Sequence, residues 1–461
     1  MRITLVSPYG GEPPEPHLGL LYLAASLENV GHSVTIVDVT YLSFKAGKYL
    51  NSRTLCDIVE KTKPDAVGFT TISNNYSYAL SLAKRVKDRL NVPIIFGGPQ
   101  ATHTAKQTVS AFKWIDFVVR GEGERTIVEL VKSIEDGSSF ENIPGIAFRR
   151  NGVTYQTVDR PFIEDIDDIS FPAYHLVPKL KEYASLTSRP NRVVAPILST
   201  RGCPFKCIFC SASTMWKRTP RFRSPSNILA EIMQLKKTQG INEVKFVDDT
   251  FTINKQRAKA ICRLLRAEKI KWGCLSRIDT MDTRLLQQMK EAGCERIYYG
   301  LESGSPRIQK FIHKNLSLEN ALKIIGRTRQ LGIECMVSFI IGFPGETLQD
   351  MELTRQFSEK VAATGAHCQG HVLVPLPGSE ITRDYFDNTA LFAHTSSMAS
   401  LPPYWKLEDE FILEEERWVK KFPDIFSHYY SIRGGIDQHV LKIYEWTLCQ
   451  WAMAGSPPEV S

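Results

Sequence analysis

At 461 residues the chain is too long for one hydrophobic core, and two or three domains are expected. Hydrophobic residues make up 43% and charged residues 23%, the balance of an ordinary soluble globular protein; no apolar run reaches the roughly 18 residues that a membrane span requires. Basic residues exceed acidic ones by 57 to 50, a net charge of +7 too diffuse to argue for nucleic acid, and the one local run, "KRTPRFR" (217–223), reads as a solvated loop. The start, "MRITLVSPYGG", reads as a buried strand and lacks a signal peptide's layout, so a cytoplasmic location is expected.

Residues 1–140 alternate short β-branched runs ("RITLVSP", "SVTIVDV", "DAVGFTT", "VPIIFGG", "DFVVRGE") with amphipathic stretches such as "LGLLYLAASLENVGH" and "YALSLAKRVKDRL". Continuous apolar strands are buried on both faces, which predicts a five-stranded parallel sheet in a doubly wound, Rossmann-like α/β domain. Ligands bind such sheets at the strand carboxyl ends, which here carry Pro8, Thr70, Thr71, Gly97, Gly98, Gly121, Glu122 and Gly123. Most of these are small or permissive residues that let a large flat ligand approach the backbone. His103 reads as a polar rim residue of that edge. Residues 141–194 lose the periodicity; a small hairpin turns at Asn151-Gly152, and the acidic, Pro-interrupted "RPFIEDIDDISFPAYHLVP" reads as a linker.

A second series follows over 195–384, with strands "VAPILST", "EVKFVDD", "WGCLSRI", "RIYYGLE", "CMVSFIIGF" and "GHVLVPLP". Ser226 and Ser317 are the expected helix N-caps, with Gly240 and Gly332 as stops. Six βα units predict a partial (β/α)6 barrel with its chemistry at the strand C-termini, where Cys203, Asp248, Asp249, Arg277 and Glu302 all fall. Residues 385–461, with Tyr404, Trp405, Trp418, Tyr429, Tyr430, Trp446 and Trp451, predict a mainly helical region that closes the open side of the barrel, its aromatics serving the core.

"STRGCPFKCIFCSAS" (199–213) places Cys203, Cys207 and Cys210 within eight positions. Structural zinc needs four ligands, usually in pairs, and no second pair or histidine lies nearby. Disulfides belong to small secreted chains. An iron–sulfur cluster held by three thiolates, one iron left open for a small molecule, fits both the count and the missing fourth ligand. The other cysteines (Cys56, Cys262, Cys274, Cys294, Cys335, Cys368 and Cys449) are isolated and read as buried small hydrophobes.

Cys-x3-Cys-x2-Cys after the first barrel strand, with Phe209 before the last cysteine, resembles the signature of the radical S-adenosylmethionine (SAM) enzymes. The resemblance implies a 4Fe-4S cluster on Cys203, Cys207 and Cys210 whose open iron chelates the methionine part of SAM, and cleavage of SAM to a 5′-deoxyadenosyl radical. It also implies that Asp248 or Asp249 in "FVDD" holds the SAM amino group, and that Glu302 and Ser303 in "YGLESGS" lie near the ribose or carboxylate. Arg277 would grip the carboxylate as a bidentate partner, and "FIIGFPGET" (339–347), beside Ser338 and containing Ile340, would meet the adenine. The N-terminal domain is similar to the cobalamin-binding domain of the B12-dependent branch through "VGFTTISNNY", "IIFGGPQATHT", "VVRGEGE" and the "FPAYHL" linker. The Asp-x-His-x-x-Gly motif is absent, which implies base-off cobalamin without a protein histidine. The expected activity is cobalamin-dependent C-methylation of a small-molecule substrate, with an external flavodoxin or ferredoxin as electron donor. A radical dehydratase, cyclase or rearranging enzyme that does not use cobalamin, and a non-catalytic cluster or cobalamin sensor, are the alternatives. A methylthiotransferase is disfavoured, since the extra N-terminal cysteines are missing.

Overall fold

The structure is a computed structural model and describes residues 1–9, 14–391 and 408–432. The described residues form two compact units, one of residues within 1–193 with 376–378 and 408–429, the other of residues 194–375 with 379–391 and 430–432.

In the first unit, β1 (Arg2–Ser7) is followed by α1 (Leu18–Glu28), β2 (Ser33–Asp38), β3 (Ala66–Thr70), α2 (Tyr76–Leu90), β4 (Ile94–Gly97), β5 (Phe117–Val119) and α3 (Glu124–Asp136). β3 is buried along its whole length, as a parallel strand covered on both faces must be. The parallel strands run in the order β2-β1-β3-β4-β5. The winding reverses between β1 and β3, the switch point where such sheets open a crevice for ligands. Leu20, Ala24 and Leu27 of α1 pack with Ile127, Leu130 and Val131 of α3 and Ile3 and Leu5 of β1 in one core.

The sheet has two more strands than expected. β6 (Ile146–Arg150) and β7 (Val153–Gln156), from the stretch read as linker, pair antiparallel onto β5 and extend it to seven strands. Asn151 (φ 51°) and Gly152 (φ 78°) supply the left-handed turn that a tight hairpin needs. The hairpin expected at Asn151-Gly152 forms; its pairing onto β5 was not expected, because Ile146, Ala147 and Phe148 are all buried and show no alternation that would mark a sheet strand.

The second unit contains β8 (Val194–Ile197), α4 (Pro225–Gln239), β9 (Glu243–Phe246), β10 (Lys271–Ser276), β11 (Cys294–Glu302), α5 (Leu318–Gln330), β12 (Glu334–Ile341), α6 (Leu348–Ala362) and β13 (His367–Val372). β8 to β13 form one six-stranded sheet in which every strand is parallel and neighbours follow chain order. Sequential order keeps every right-handed crossover on one face, so the sheet winds as a barrel segment. Ser317 caps α5 by accepting from Asn320 N. The α4 cap is Ser224, not Ser226: its side chain accepts from Asn227 N, because Pro225 takes the first helical position. Gly240 ends that helix at φ 67°.

The C-terminal segment departs from expectation in its partner. α7 (Asp409–Lys421) belongs to the first unit and lies against α2, where Glu414 accepts from Ser81 Oγ (2.8 Å) and Lys84 Nζ (3.1 Å), and Glu415 accepts from Ser77 Oγ. Trp418 and Phe422 meet Phe112 at ring distances of 5.7 and 5.3 Å. Buried serines on α2 complement those carboxylates, and sequence periodicity carries no sign of that match. Of the aromatics noted in this region, Tyr404, Trp405, Trp446 and Trp451 lie outside the described residues.

Candidate functional site

The cysteine loop is held from behind. Gly202 has φ +93°, and a Cβ there would sit 2.7 Å from Thr219 O, so glycine is required where the chain turns into Cys203. Asp248, fully buried at the end of β9, accepts from Ser199 N (2.6 Å) and Thr200 N (2.9 Å) and from the Ser199 hydroxyl. Arg257 Nη2 donates to Ser199 O (2.5 Å). Further along, Ile381 N donates to Ile208 O (2.9 Å), and Ile208 packs with Ile312 and Phe343. The loop therefore has little freedom, while its three thiols remain partly accessible.

Those thiols line one cleft with Phe209, Asp249, Arg277, Glu302 and Ser338, and also with Phe205, Thr250, Ser276, Tyr298, Gly300 and Lys314. Tyr298, Gly300 and Glu302 reach it together because they alternate along β11, while Ile297, Tyr299 and Leu301 face the core. Glu302 ends the strand at φ +72°, next to a register shift after Gly300. This left-handed, bulged strand end swings its carboxylate onto Lys314 Nζ (2.6 Å), with Ser338 Oγ 3.4 Å from the other oxygen. A Cβ on Gly300 would press on both members of the pair. Lys314 was not singled out in the sequence; His313 (φ 56°) and Asn315 (φ 53°) on either side mark its loop as special, but no spacing rule connects it to Glu302.

Three expected cofactor residues do not line the cleft. Asp248 is spent on the loop backbone, so of the two aspartates Asp249 lines the cleft. Ser303 is buried beneath it, with its hydroxyl 3.0 Å from Thr354 Oγ1 of α6, because the β11 bulge turns it away. Ile340 shares the face of Ser338 on β12 but packs with Phe209 against the apolar cluster around Phe343. Arg277 lines the cleft in a different pose from the one expected. Its Nε and Nη2 grip Asp279 (3.0 and 2.8 Å), Nη2 also donates to Lys314 O (3.1 Å), and Nη1 lies 3.3 Å from Cys207 Sγ. The guanidinium stacks on Phe205 at 3.8 Å. A carboxylate two residues on occupies the fork that a substrate carboxylate would need, and what remains is a cationic donor to a cluster thiol.

Burial pushes the Asp249 carboxyl up to about 6, with the charge of Asp248 adding to it. Burial likewise raises the Cys203 thiol and pushes Cys210 up to about 12. A cation placed in the cleft relieves that penalty. Glu346, buried after β12, accepts from Gly342 N (2.5 Å) and Phe343 N (3.0 Å) and so fixes the "GFPGE" turn. Of the "KRTPRFR" run, read as solvated, Arg221 and Arg223 are buried; Arg223 pairs with Glu231 at 2.5 Å. Cys56, Cys262, Cys274, Cys294, Cys335 and Cys368 are buried, and Cys449 lies outside the described residues.

Among the described residues no three His, Cys, Asp or Glu side chains converge on a single-ion site. The thiols line a cleft instead of closing around a point, and three soft donors without a fourth fit an iron–sulfur cluster better than a zinc ion.

In the first unit, Thr70 Oγ1 lies 3.3 Å from Nε2 of His17, whose Nδ1 accepts from Leu20 N at the start of α1. This pair stands at the β1/β3 switch point, and burial lowers the His17 imidazole to about 4, leaving it neutral. Thr71 is buried and donates to Gly97 O (2.8 Å), and Gly98 (φ +94°) packs directly against Thr71 backbone. Pro8 is buried at the end of β1. Gly121 N donates to Thr102 Oγ1 (3.1 Å). Glu122 turns inward, accepting from Ile163 N at 2.7 Å, and so fastens the 163 segment to the sheet instead of facing a ligand. His103 lies against Gly378. An added Cβ at Gly121 meets nothing within 4 Å, and at Gly97 only Val119 O at 3.7 Å. Both ring nitrogens of buried His428 also lack a hydrogen-bond partner among the described residues. Open backbone at Gly97 and Gly121 and orphaned buried nitrogens fit a large, amide-rich ligand such as a corrinoid.

Residues 11–131 match the B12 binding domain and residues 197–358 the radical SAM superfamily. An uncharacterized methyltransferase of Pyrococcus horikoshii is 33% identical over 445 residues, 93% of this chain and 94% of that one. Cytidylyl-2-hydroxyethylphosphonate methyltransferase of Streptomyces wedmorensis is 28% identical over 421 residues, 80% and 77% of the two chains. In fold, the chain is similar to the radical S-adenosylmethionine methyltransferase TsrM from Kitasatospora setae, solved with cobalamin and a 4Fe-4S cluster bound; the TM-score is 0.74 at 17% identity, covering 99% of this chain and 91% of that one. The chain belongs to the radical SAM enzymes that carry an N-terminal B12-binding domain.

Proposed function

We propose that this enzyme is a cobalamin-dependent radical SAM methyltransferase acting on a small molecule. The observation that carries this reading is the gathering of Cys203, Cys207, Cys210, Asp249, Glu302 and Lys314 in one cleft at the strand C-termini, in a chain whose first unit has the B12-binding fold. When bound, the 4Fe-4S cluster supplies the electron that cleaves SAM to a 5′-deoxyadenosyl radical, and the corrinoid supplies the methyl group. In this reading the three cysteines hold the cluster, and Arg277, 3.3 Å from Cys207 Sγ, balances thiolate charge. Asp249 accepts the SAM ammonium. The Glu302–Lys314 pair offers a carboxylate to the ribose hydroxyls and an ammonium to the SAM carboxylate. Ser338 adds a hydroxyl, and the turn fixed by Glu346 presents backbone to the adenine. Phe205 and Phe209 give the cleft an apolar lining that lowers its polarity around the reacting groups. Among the described residues no helix is long and apolar enough to cross a membrane. A cytoplasmic enzyme served by an external flavodoxin or ferredoxin completes the reading.

The test is anaerobic reconstitution with iron, sulfide and hydroxocobalamin, then incubation with methyl-labelled SAM, reductant and candidate small molecules. Labelled product that requires cobalamin supports the proposal. 5′-Deoxyadenosine with no cobalamin-dependent methyl transfer would leave a radical cyclase or dehydratase, and absence of SAM cleavage would leave a binding protein.

A further inference from the structure

His428 is nine-tenths buried, with 9% of its surface exposed, yet neither Nδ1 nor Nε2 has a hydrogen-bond partner among the described residues. Burying an imidazole without partners opposes folding, so a side chain kept there needs another reason. Its neighbours show where it sits. Ile425 O accepts from Gln100 Nε2 (2.7 Å), and Gln100 Oε1 in turn accepts from Ser73 Oγ (2.7 Å). Tyr429, whose ring lies tilted against His428 at 4.5 Å, has its hydroxyl 3.2 Å from Ser77 Oγ and donates to Glu415. Ser73 follows β3, Ser77 lies in the first turn of α2 and Gln100 follows β4, so the 425–429 segment is tied to the segments that leave the carboxyl ends of those strands. That is the edge where a doubly wound sheet receives its ligand. Burial holds the imidazole neutral, with one nitrogen as donor and the other as acceptor.

We propose that His428 is a binding residue for the corrinoid of the first unit, hydrogen-bonding an amide of the cofactor periphery through a ring nitrogen. A primary amide offers both a donor and an acceptor, the two functions that a neutral imidazole leaves open. The inference rests on the reading that this unit binds a corrinoid, and it assigns that role to a segment more than 290 residues beyond the end of the B12-binding match at residue 131.

The experiment is an optical titration of the reconstituted full-length enzyme with hydroxocobalamin, for wild type, His428→Phe and His428→Gln, alongside thermal melting without the cofactor. Phenylalanine keeps the packing against Phe426 and Tyr429 and removes both nitrogens; glutamine keeps a donor and an acceptor. The expected result is a Kd raised about ten-fold in His428→Phe, the loss of one buried hydrogen bond, an unchanged or higher Tm without cofactor, and near-wild-type binding in His428→Gln. A residue that serves only packing would leave Kd unchanged in both variants, which would overturn the inference while wild type still binds. If wild type itself takes up no cobalamin, the corrinoid reading fails instead. Electron paramagnetic resonance of the bound cob(II)alamin is the second readout: nitrogen splitting lost in His428→Phe would overturn hydrogen bonding in favour of cobalt ligation.

Discussion

Lys314 and Glu302 are buried together beside the cluster loop, with side chains 5% and 8% exposed and 2.6 Å between them. Removing one partner of a buried pair leaves an uncompensated charge, at about 3–5 kcal/mol. Lys314→Met is therefore expected to lower Tm and weaken SAM binding together, and Lys314→Met with Glu302→Gln to recover most of the Tm but not the binding. Calorimetric titration with SAM beside thermal melts checks both. Asp249 yields a pH prediction. Its carboxyl titrates near 6, so it is ionised above that value and neutral below it. SAM affinity should fall as pH drops from 7.5 to 5.5, and Asp249→Asn should be weaker by about ten-fold at pH 7.5 and flat over the same range. A pH dependence unchanged in Asp249→Asn would assign the titration to another group.

At the scale of the element, the loop between β8 and α4 is shaped by one carboxylate behind it. Asp248 satisfies two backbone donors and a hydroxyl at full burial, so Asp248→Ala orphans buried N–H groups at about 1–3 kcal/mol. It should reduce bound iron per chain although all three cysteines remain, whereas Asp249→Asn should leave iron content intact. Equal iron loss in the two variants would contradict the division of labour between neighbouring aspartates. That division was not legible in "FVDD". Adjacent strand residues face opposite ways, but which way depends on where β9 ends and on the Ser199 and Thr200 amides it meets. The bulge at Glu302 was equally invisible, and it is what separates Glu302 in the cleft from Ser303 beneath it.

For the whole molecule, the proposed function gives each of the two units its own cofactor, so damage to one site should spare the other. Cys203→Ala should abolish iron incorporation and SAM cleavage and leave hydroxocobalamin affinity within about two-fold of wild type, within the range expected of independent sites. Joint loss of both would show that the corrinoid site depends on the cluster. The C-terminal segment breaks the linear order of domains. α7 returns to the first unit through Glu414 and Glu415, so Glu414→Ala is expected to loosen α2, read as faster amide exchange there, with barrel strands unaffected. That exchange pattern would move to the barrel if the helix closed the barrel instead.

The amino-acid sequence alone carries the buried strands that run parallel in both sheets and the position of the three clustered cysteines after the first barrel strand. Each of these follows from local periodicity or spacing, which the chain carries residue by residue. Tertiary structure decided what depends on partners distant in sequence. It placed Asp249 in the cleft and Asp248 behind it, filled the Arg277 fork with Asp279, and brought Lys314 to Glu302. It also set the Ile146–Gln156 hairpin on the edge of the first sheet and α7 on its α2. Hydrogen-bond complementarity across such separations leaves no period in the chain, so only the folded arrangement reveals it.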